Sequence, residues 1–292
     1  MNVVLKIAGR NIRLFFRDKT SVFFSFLSVI IIIGLYVLFL GDTTIQSLAN
    51  RVSDPRKAKF FADTWIMAGV LVANAITSTL GALEVLVNDE HKGIVKDFMV
   101  SPVKRWQLVL GYVLSTWVVG AATGLVMFAI SQAYIVLRGG DMITLANAAR
   151  AVGLILLNVL AFSSFNFLIV SFIKTNAAFS TFSTLVGTLI GFVTGVYVPI
   201  GVLPGFLQKL ILMVPATHGA SAMRQLYMDA SIAQVGREMP PEVLAEFLRI
   251  YGVNLRLDRS ILPMATMIFY IAVTGAVFFA LSVVRLLFKK SR

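Results

Sequence analysis

The chain contains few of the residues that usually carry out catalysis. It has no cysteine and only two histidines, His91 and His218, which are far apart in the sequence. No His-Glu-x-x-His metal motif and no Gly-x-Ser-x-Gly nucleophile motif is present. The Gly-x-x-x-x-Gly-Lys-Ser/Thr loop, whose backbone N–H groups hold nucleotide phosphates, is also missing. We therefore predict no catalytic, cofactor or metal site, and any energy from ATP must come through another subunit.

Ionisable residues within apolar runs would indicate an ion or proton pathway. Glu84 is the one such residue in the predicted spans, and it lies about one turn from a span end, where it can reach water or Lys92. Polar groups predicted at mid-span depth must bond to other helices or line a polar cavity. They are Asn74, Asn158, Asn166, Ser163 and Ser164. This set is small for an ion-coupled transporter.

The elements that position these residues belong to a membrane protein. Of the 292 residues, 58% are hydrophobic and 14% are charged, against roughly a quarter charged in soluble domains. The formal net charge of +12 is explained by an anionic membrane surface, so we expect membrane lipid and no nucleic acid as a partner. The predicted fold class is an all-α integral membrane protein with six transmembrane helices.

The first 19 residues predict an amphipathic interfacial helix. Lys6, Arg10, Arg13 and Arg17 recur at spacings that place all four cations on one helical face. Such a helix is typical of an element in the headgroup layer of a membrane. A signal peptide is the alternative, but the next apolar run is about 20 residues long and has no small-residue cleavage site.

Six apolar runs have the length of a membrane-spanning helix, which needs about 20 residues. The connections between them also carry predictions. We expect a re-entrant segment at 199–215, because it is apolar but interrupted by prolines, and an exterior region at 216–260 with a short helix from Pro241 to about Tyr251. The predicted spans are residues 21–40, 65–87, 106–137, 151–173, 177–198 and 261–284.

Lys and Arg flank the termini, the 88–105 segment and the turn at Lys174, which predicts a cytoplasmic location for both termini. Small residues at four-residue intervals allow close approach of helices in lipid. Packing within the chain and a dimer seam both remain open for these glycines. They are Gly187, Gly191 and Gly195 in the fifth span, and Gly120 and Gly124 in the third.

The charged stretch between the second and third spans resembles a known coupling element. Glu90-His-Lys-Gly93, then Phe98-Met-Val-Ser-Pro102 and Trp106, is similar to the acidic-x-x-Gly and Leu-x-x-x-Pro pattern of permease subunits of type-2 ABC exporters. The segment from Pro199 to Arg224, with Pro215 nine residues before Arg224, is similar to the re-entrant segment of that family. The order of elements extends the resemblance over essentially the whole chain.

The resemblance implies a cytoplasmic ABC ATPase subunit as partner, with ATP and Mg bound there, and a second permease copy in a homodimer or a related heterodimer. It also implies a coupling helix at 88–105 and an outer gate formed with Pro199, Pro204 and Pro215. Residues expected to couple to the ATPase are Asp89, Glu90, Lys92, Gly93, Asp97, Ser101 and Pro102, with Arg10, Arg13 and Arg17 of the interfacial helix.

The function that we predict is outward transport of a drug, lipid or peptide across the plasma or inner membrane. The substrate class stays open, because all spans must be apolar in lipid whatever the cargo is. The competing hypothesis is a membrane-embedded sensor or assembly factor that works through residues 216–260. An intramembrane enzyme is disfavoured by the lack of a paired nucleophile and base.

Overall fold

The computed structural model describes residues 3–36, 45–46, 48, 52–257 and 260–288. These residues form a helical bundle with one short antiparallel β-pair, β1 (Arg256–Leu257) and β2 (Ser260–Ile261). The helices of the first half are α1 (Val3–Arg17), α2 (Lys19–Leu35), α3 (Pro55–Ala82), α4 (Glu84–His91), α5 (Ile94–Val100) and α6 (Arg105–Leu137). Those of the second half are α7 (Leu145–Val170), α8 (Asn176–Val193), α9 (Gly205–Leu212), α10 (Pro215–Tyr227), α11 (Asp229–Gly236), α12 (Pro241–Ile250) and α13 (Met264–Leu287).

Five helical segments in the described ranges are long and apolar enough to cross a membrane: α3 with α4, then α6, α7, α8 and α13. They correspond to the second to sixth predicted spans. The first predicted span, 21–40, is helical through Leu35, and its last residues lie outside the described part of the chain. Helix α1 lies within the first 19 residues, for which we predicted an amphipathic helix.

The second span is longer than predicted. We expected it at 65–87, but α3 begins at Pro55, where Asp54 accepts a hydrogen bond from the backbone N–H of Arg56 at 2.9 Å. A proline at the first helical position and an Asx cap favour this early start. Beyond a single interruption at Leu83, α4 continues to His91. The two consecutive helices α3 and α4 are buried along most of their length and contact α2, α6, α7 and α10.

The fifth span is shorter than predicted and ends at Val193 rather than residue 198. Gly195 adopts a left-handed φ of 67°, and the N–H of Val196 bonds back to the Gly191 carbonyl at 2.7 Å. This is the glycine-based reversal that terminates many helices. The fourth and sixth spans are shifted to Leu145–Val170 and Met264–Leu287, from 151–173 and 261–284.

The predicted exterior region 216–260 is not an open polar stretch, because its first part is the buried helix α10. Ala216, Ala220 and Ala222 have no exposed surface, and their small side chains let α10 pack against α3, α7 and α13. His218, which lies in the region that we predicted to be exterior, is buried in α10 and bonds to the Leu212 carbonyl at 2.8 Å. The predicted short amphipathic helix is confirmed as α12, and Gly252 follows it with φ 64°.

Candidate coupling site and outer segment

The charged segment 88–105, where we expected a coupling helix, contains the last turn of α4 and the whole of α5 rather than one continuous helix. The chain turns at Gly93, whose φ of 78° lies in the left-handed region and separates α4 from α5. Helix α5 ends at Ser101, which bonds to the carbonyl of Phe98 at 2.7 Å through its Oγ atom. Pro102 follows and α6 starts at Arg105. Gly93 is thus the hinge residue between the second span and α5.

Helix α1 is held against this segment by a bidentate ion pair. Arg10 Nη1 and Nη2 each lie 2.6 Å from a carboxylate oxygen of Asp89. The Asp89 side chain is 4% exposed, and Tyr112 of α6 donates a second short hydrogen bond to it. The hydrogen bond to Asp89 raises the pKa of Arg10. Three elements, α1, α4 and α6, therefore meet at one buried carboxylate.

Close packing supports this polar contact. A Cβ atom on Gly111 of α6 would lie 2.7 Å from Ile7 Cγ2, so α1 sits against the α6 backbone at this position. Asn11, also buried, donates to Ser115 Oγ at 3.4 Å. Arg10 therefore does not join the exposed cationic face predicted for α1, and Asn11 belongs to the buried face. Arg13 and Arg17 remain exposed.

A cleft with a volume of about 340 Å³ opens beside the ion pair. Charged and polar side chains from α1 and α4 line much of it, including Arg10, Arg17, Glu84, Asp89 and Lys92. Glu84, the one ionisable residue predicted in a span, thus lies on the wall of this cleft. The arrangement suits contact with a polar protein surface better than contact with hydrocarbon.

The residues expected to couple to an ATPase fall into three groups by burial. Asp89 is buried and Arg10 half-buried, so they position α1 and α4. Half-buried Glu90 lines a small cavity that Arg285 also lines, and Gly93 and Ser101 are half-buried at the ends of α5. The exposed members, which a partner chain can reach, are Lys92, Asp97, Pro102, Arg13 and Arg17, together with His91 and Lys96 from the same surface.

The proline-broken segment 199–215 lies at the opposite end of the bundle. Pro199 precedes a 3-10 turn at Ile200–Val202, Pro204 precedes α9, and Pro215 opens α10. The segment does not cross the bundle, because α9 has eight residues and is followed directly by α10. Its apolar side chains Phe206 and Leu210 are exposed at 70% and 61%.

Arg224 of α10 joins this segment to the fifth and second spans. Its guanidinium is fully buried, and Nη2 donates to the carbonyls of Thr194 and Gly195 at 2.7 and 3.0 Å, which terminate α8. Its Cζ atom lies 5.1 Å from the Trp65 ring centroid. Cations favour helix C-termini, where carbonyl groups lack intrahelical partners. We had not placed Arg224 in the outer gate set, although it closes the sequence motif that begins at Pro215.

The five glycines have different surroundings. A Cβ atom on Gly120 would lie 2.6 Å from Val159 Cγ1, and one on Gly124 would lie 2.8 Å from Ile155 Cγ2, so both face α7 within the chain. A Cβ atom on Gly191 would lie 2.3 Å from Tyr197 Cε2, and one on Gly195 would lie 2.9 Å from Ile200 Cγ1. A Cβ atom on Gly187 would meet no atom within 4 Å apart from the backbone of its own helix, so Gly187 alone of the five has room for a helix from another molecule.

The polar residues predicted at mid-span depth are buried. Asn166 donates from Nδ2 to the Ile76 carbonyl and to Thr79 Oγ1, which links α7 to α3. Asn158 donates to the carbonyl of Leu154 in its own helix, and its Oδ1 atom lies next to Gly219 of α10. Ser163 and Ser164 bond to carbonyls of their own helix. The side-chain amide of Asn74 has no hydrogen-bond partner among the described residues.

The chain was compared with curated proteins and with protein-family profiles. No curated protein matches the chain. A family profile described as ABC-2 family transporter protein matches residues 43–284, which include α3 to α12 and nearly all of α13. That family supplies the membrane component of ABC transporters and is not itself catalytic. The chain therefore belongs to the ABC-2 transporter family, as a multi-pass membrane permease subunit of type 2.

Proposed function

We propose that this permease is the membrane subunit of an exporter that uses ATP hydrolysed by a separate cytoplasmic ABC subunit. The observation that carries the proposal is the exposed surface of α5 beside the Arg10–Asp89 pair. A short helix between two spans, exposed to solvent and following the end of α4 that Arg10 ties to α1, can pass a displacement to both spans together. The sequence has no phosphate-binding loop of its own, so the motive force has to arrive through such a contact.

The surface of the permease that would contact the ATPase carries both positive and negative side chains. Lys92, Lys96 and Asp97 are exposed around α5, and Arg13 and Arg17 are exposed on α1. Complementary charges at the rim of an interface mainly set orientation and association rate. Glu90 and Ser101 would be covered at the edge of the same contact. ATP and Mg would be held by the partner. The permease would lie in the plasma or inner membrane, and both of its termini would be in the cytoplasm.

A second permease copy would face α8. This helix is the least buried of the spans apart from the incompletely described first, and its exposed face carries hydroxyl groups at four-residue intervals: Ser180, Thr184 and Thr188. Their side chains lie on the surface that contacts lipid or another helix, and Gly187 offers a close approach there. Outward transport of an amphipathic drug, lipid or peptide would then proceed between the two copies, with the segment of Pro199, Pro204 and Pro215 as the outer gate.

Co-purification tests the proposal directly. The tagged permease, extracted into nanodiscs from its own host, should retain a soluble ABC ATPase that hydrolyses ATP in the presence of Mg. Charge reversal at the exposed coupling surface, Asp97→Arg with Lys96→Glu, should release the ATPase, whereas reversal of exposed Glu242 in α12, at the other end of the bundle, should not. Recovery of a stable permease without any ATPase would contradict the proposal and favour a sensor or assembly factor.

A further inference from the structure

A second buried aspartate lies near the start of α3, at the end of the bundle opposite α5. Asp63 has a side chain 3% exposed, and its Oδ2 atom is 2.9 Å from Arg138 Nε. Tyr36, directly after α2, donates from its hydroxyl to Asp63 Oδ1 at 3.2 Å. Asp63 lies outside the second span as predicted, 65–87, but the early start of α3 at Pro55 places it about two turns inside the helix. The carboxylate therefore joins α2, α3 and the end of α6.

Arg138 is fixed by more than this pair. It is the C-cap residue of α6, and its own carbonyl accepts a hydrogen bond from Lys59 Nζ at 3.2 Å. Its Cζ atom also lies 5.3 Å from the centroid of the Tyr134 ring. A cation at a helix C-terminus is favoured by the helix dipole. The α3 and α6 ends are thus linked twice, once in each direction.

An aspartate bonded to one arginine and one tyrosine also occurs at the other end of the consecutive helices α3 and α4. Asp89 takes Arg10 and Tyr112, and Asp63 takes Arg138 and Tyr36. The two aspartates are separated by about 39 Å along the helix at 1.5 Å per residue. In both clusters a residue of α3–α4 is bonded to a residue of α6 or its cap, so the second and third spans are joined near both ends.

We propose that the Asp63–Arg138 pair is an outer brace that makes the second and third spans move as one body when α5 is displaced. Tyr36 couples the end of α2 to that body. Apolar faces alone allow neighbouring helices to slide, whereas a buried hydrogen-bonded charge pair has one favourable geometry. This inference rests on the proposed function, because the displacement comes from the ATPase at α5.

Spin labels can test the brace, since the chain has no native cysteine. Labels at Arg56→Cys and Leu137→Cys report the distance between the outer ends of α3 and α6, and labels at Leu137→Cys and Leu189→Cys report α6 against α8. All three label positions are on described helices, and Leu137 and Leu189 are 87% and 56% exposed. Labelled copies are diluted with unlabelled ones and measured in the ATPase complex, before and after trapping with ATP and vanadate.

We expect the 56–137 distance to stay the same on trapping while the 137–189 distance shifts. In Asp63→Asn the 56–137 distribution should broaden on trapping, and the charge exchange Asp63→Arg with Arg138→Asp should restore a narrow one. Tyr36→Phe, which removes only a hydroxyl, should leave the 56–137 distance unchanged. Glu246→Gln, which breaks an exposed pair with Arg249 on α12, is the matched control and should behave as wild type.

Two results would overturn the brace. One is a wild-type 56–137 distance that changes on trapping as much as the 137–189 distance does. The other is an Asp63→Asn protein with wild-type distributions for both label pairs. If Asp63→Asn does not fold, Arg138→Lys keeps the charge but loses the Nε contact and must show the same broadening. Failure of the proposed function is seen separately, as a permease that retains no ATPase at all.

Discussion

Removal of Arg10 should detach α1 from the coupling segment. In Arg10→Met the Asp89 carboxylate keeps the Tyr112 hydroxyl but loses two charge-assisted hydrogen bonds of 2.6 Å. Breaking a buried ion pair in this way costs about 3–5 kcal/mol. Because the Arg10 side chain is 34% exposed, water compensates part of this loss, and we expect the lower value. A change of about 3 kcal/mol alters the equilibrium between docked and undocked α1 by about two orders of magnitude.

The double variant separates the ion pair from general damage to α1. Arg10→Met with Asp89→Asn leaves no uncompensated charge in the protein, so it should be milder than Arg10→Met alone. Limited trypsin cleavage after Arg13 and Arg17 measures undocking in nanodiscs, because a detached helix is cleaved faster. The coupling consequence is read as ATP hydrolysis that no longer responds to the permease. Lys6→Met, which removes an exposed cation from the same helix and keeps the cleavage sites at Arg13 and Arg17, is the matched control.

Additive effects of Arg10→Met and Asp89→Asn on the cleavage rate would refute this reasoning. If the double variant is cleaved as fast as the sum of the two single effects predicts, Arg10 and Asp89 do not interact in the membrane-embedded protein. Wild-type cleavage of Arg10→Met would refute it equally, since packing of Ile7 against Gly111 would then be sufficient to hold α1.

Three further perturbations address the turn, the outer segment and an external ion pair. Gly93→Pro should abolish coupling while the protein still inserts, because proline cannot adopt φ 78°. Gly93→Ala should have a milder effect in an ATPase assay, because its Cβ atom would meet no neighbour and the backbone strain is roughly 1 kcal/mol. Arg224→Met should lower the thermal midpoint of the purified protein more than Arg249→Met does. In Arg224→Met two carbonyls at the end of α8 lose their donor, whereas Arg249 is paired at the surface. Equal midpoints for the two variants would contradict this. Hydrogen bonds from Lys57 and Ser53 lower the pKa of Glu238 to about 2, below its ordinary 4.5, so its contribution to stability is present above about pH 4.5 and is lost as the pH falls towards 2. Glu238→Gln should flatten the thermal midpoint over that pH range, and an unchanged pH profile would show that the contact is not formed.

The spans could be predicted from sequence because lipid requires long apolar helices, and few alternatives satisfy backbone hydrogen bonding there. Their ends were less predictable, because hydropathy does not mark caps. Asp54-Pro55 starts α3 in a charged stretch, and Gly195 ends α8 within an apolar one. Both signals are visible in the sequence, but neither dominates a hydropathy reading.

The coupling stretch could be located from its charge and its motif, but its internal geometry could not. Gly93 and Pro102 are both helix breakers, and periodicity alone did not decide which one divides the segment. The inward direction of Asp89 depends on Arg10 and Tyr112, which are 79 and 23 residues away in sequence. Asp63 was missed for the same reason, since its partners Tyr36 and Arg138 come from other helices. Long-range pairing of this kind leaves no local pattern.

The two aspartate clusters raise the question of why a membrane protein would bury charge in its second span. Buried ion pairs are often no more stabilising than apolar residues of similar volume, so stability does not explain them. A geometric function does, because charged hydrogen bonds fix both distance and direction between two helices. We therefore expect Asp63→Leu with Arg138→Leu to keep or raise the thermal midpoint and yet to broaden the 56–137 distance distribution on trapping with ATP and vanadate. A double variant that loses stability instead would show that the pair is retained for folding rather than for movement.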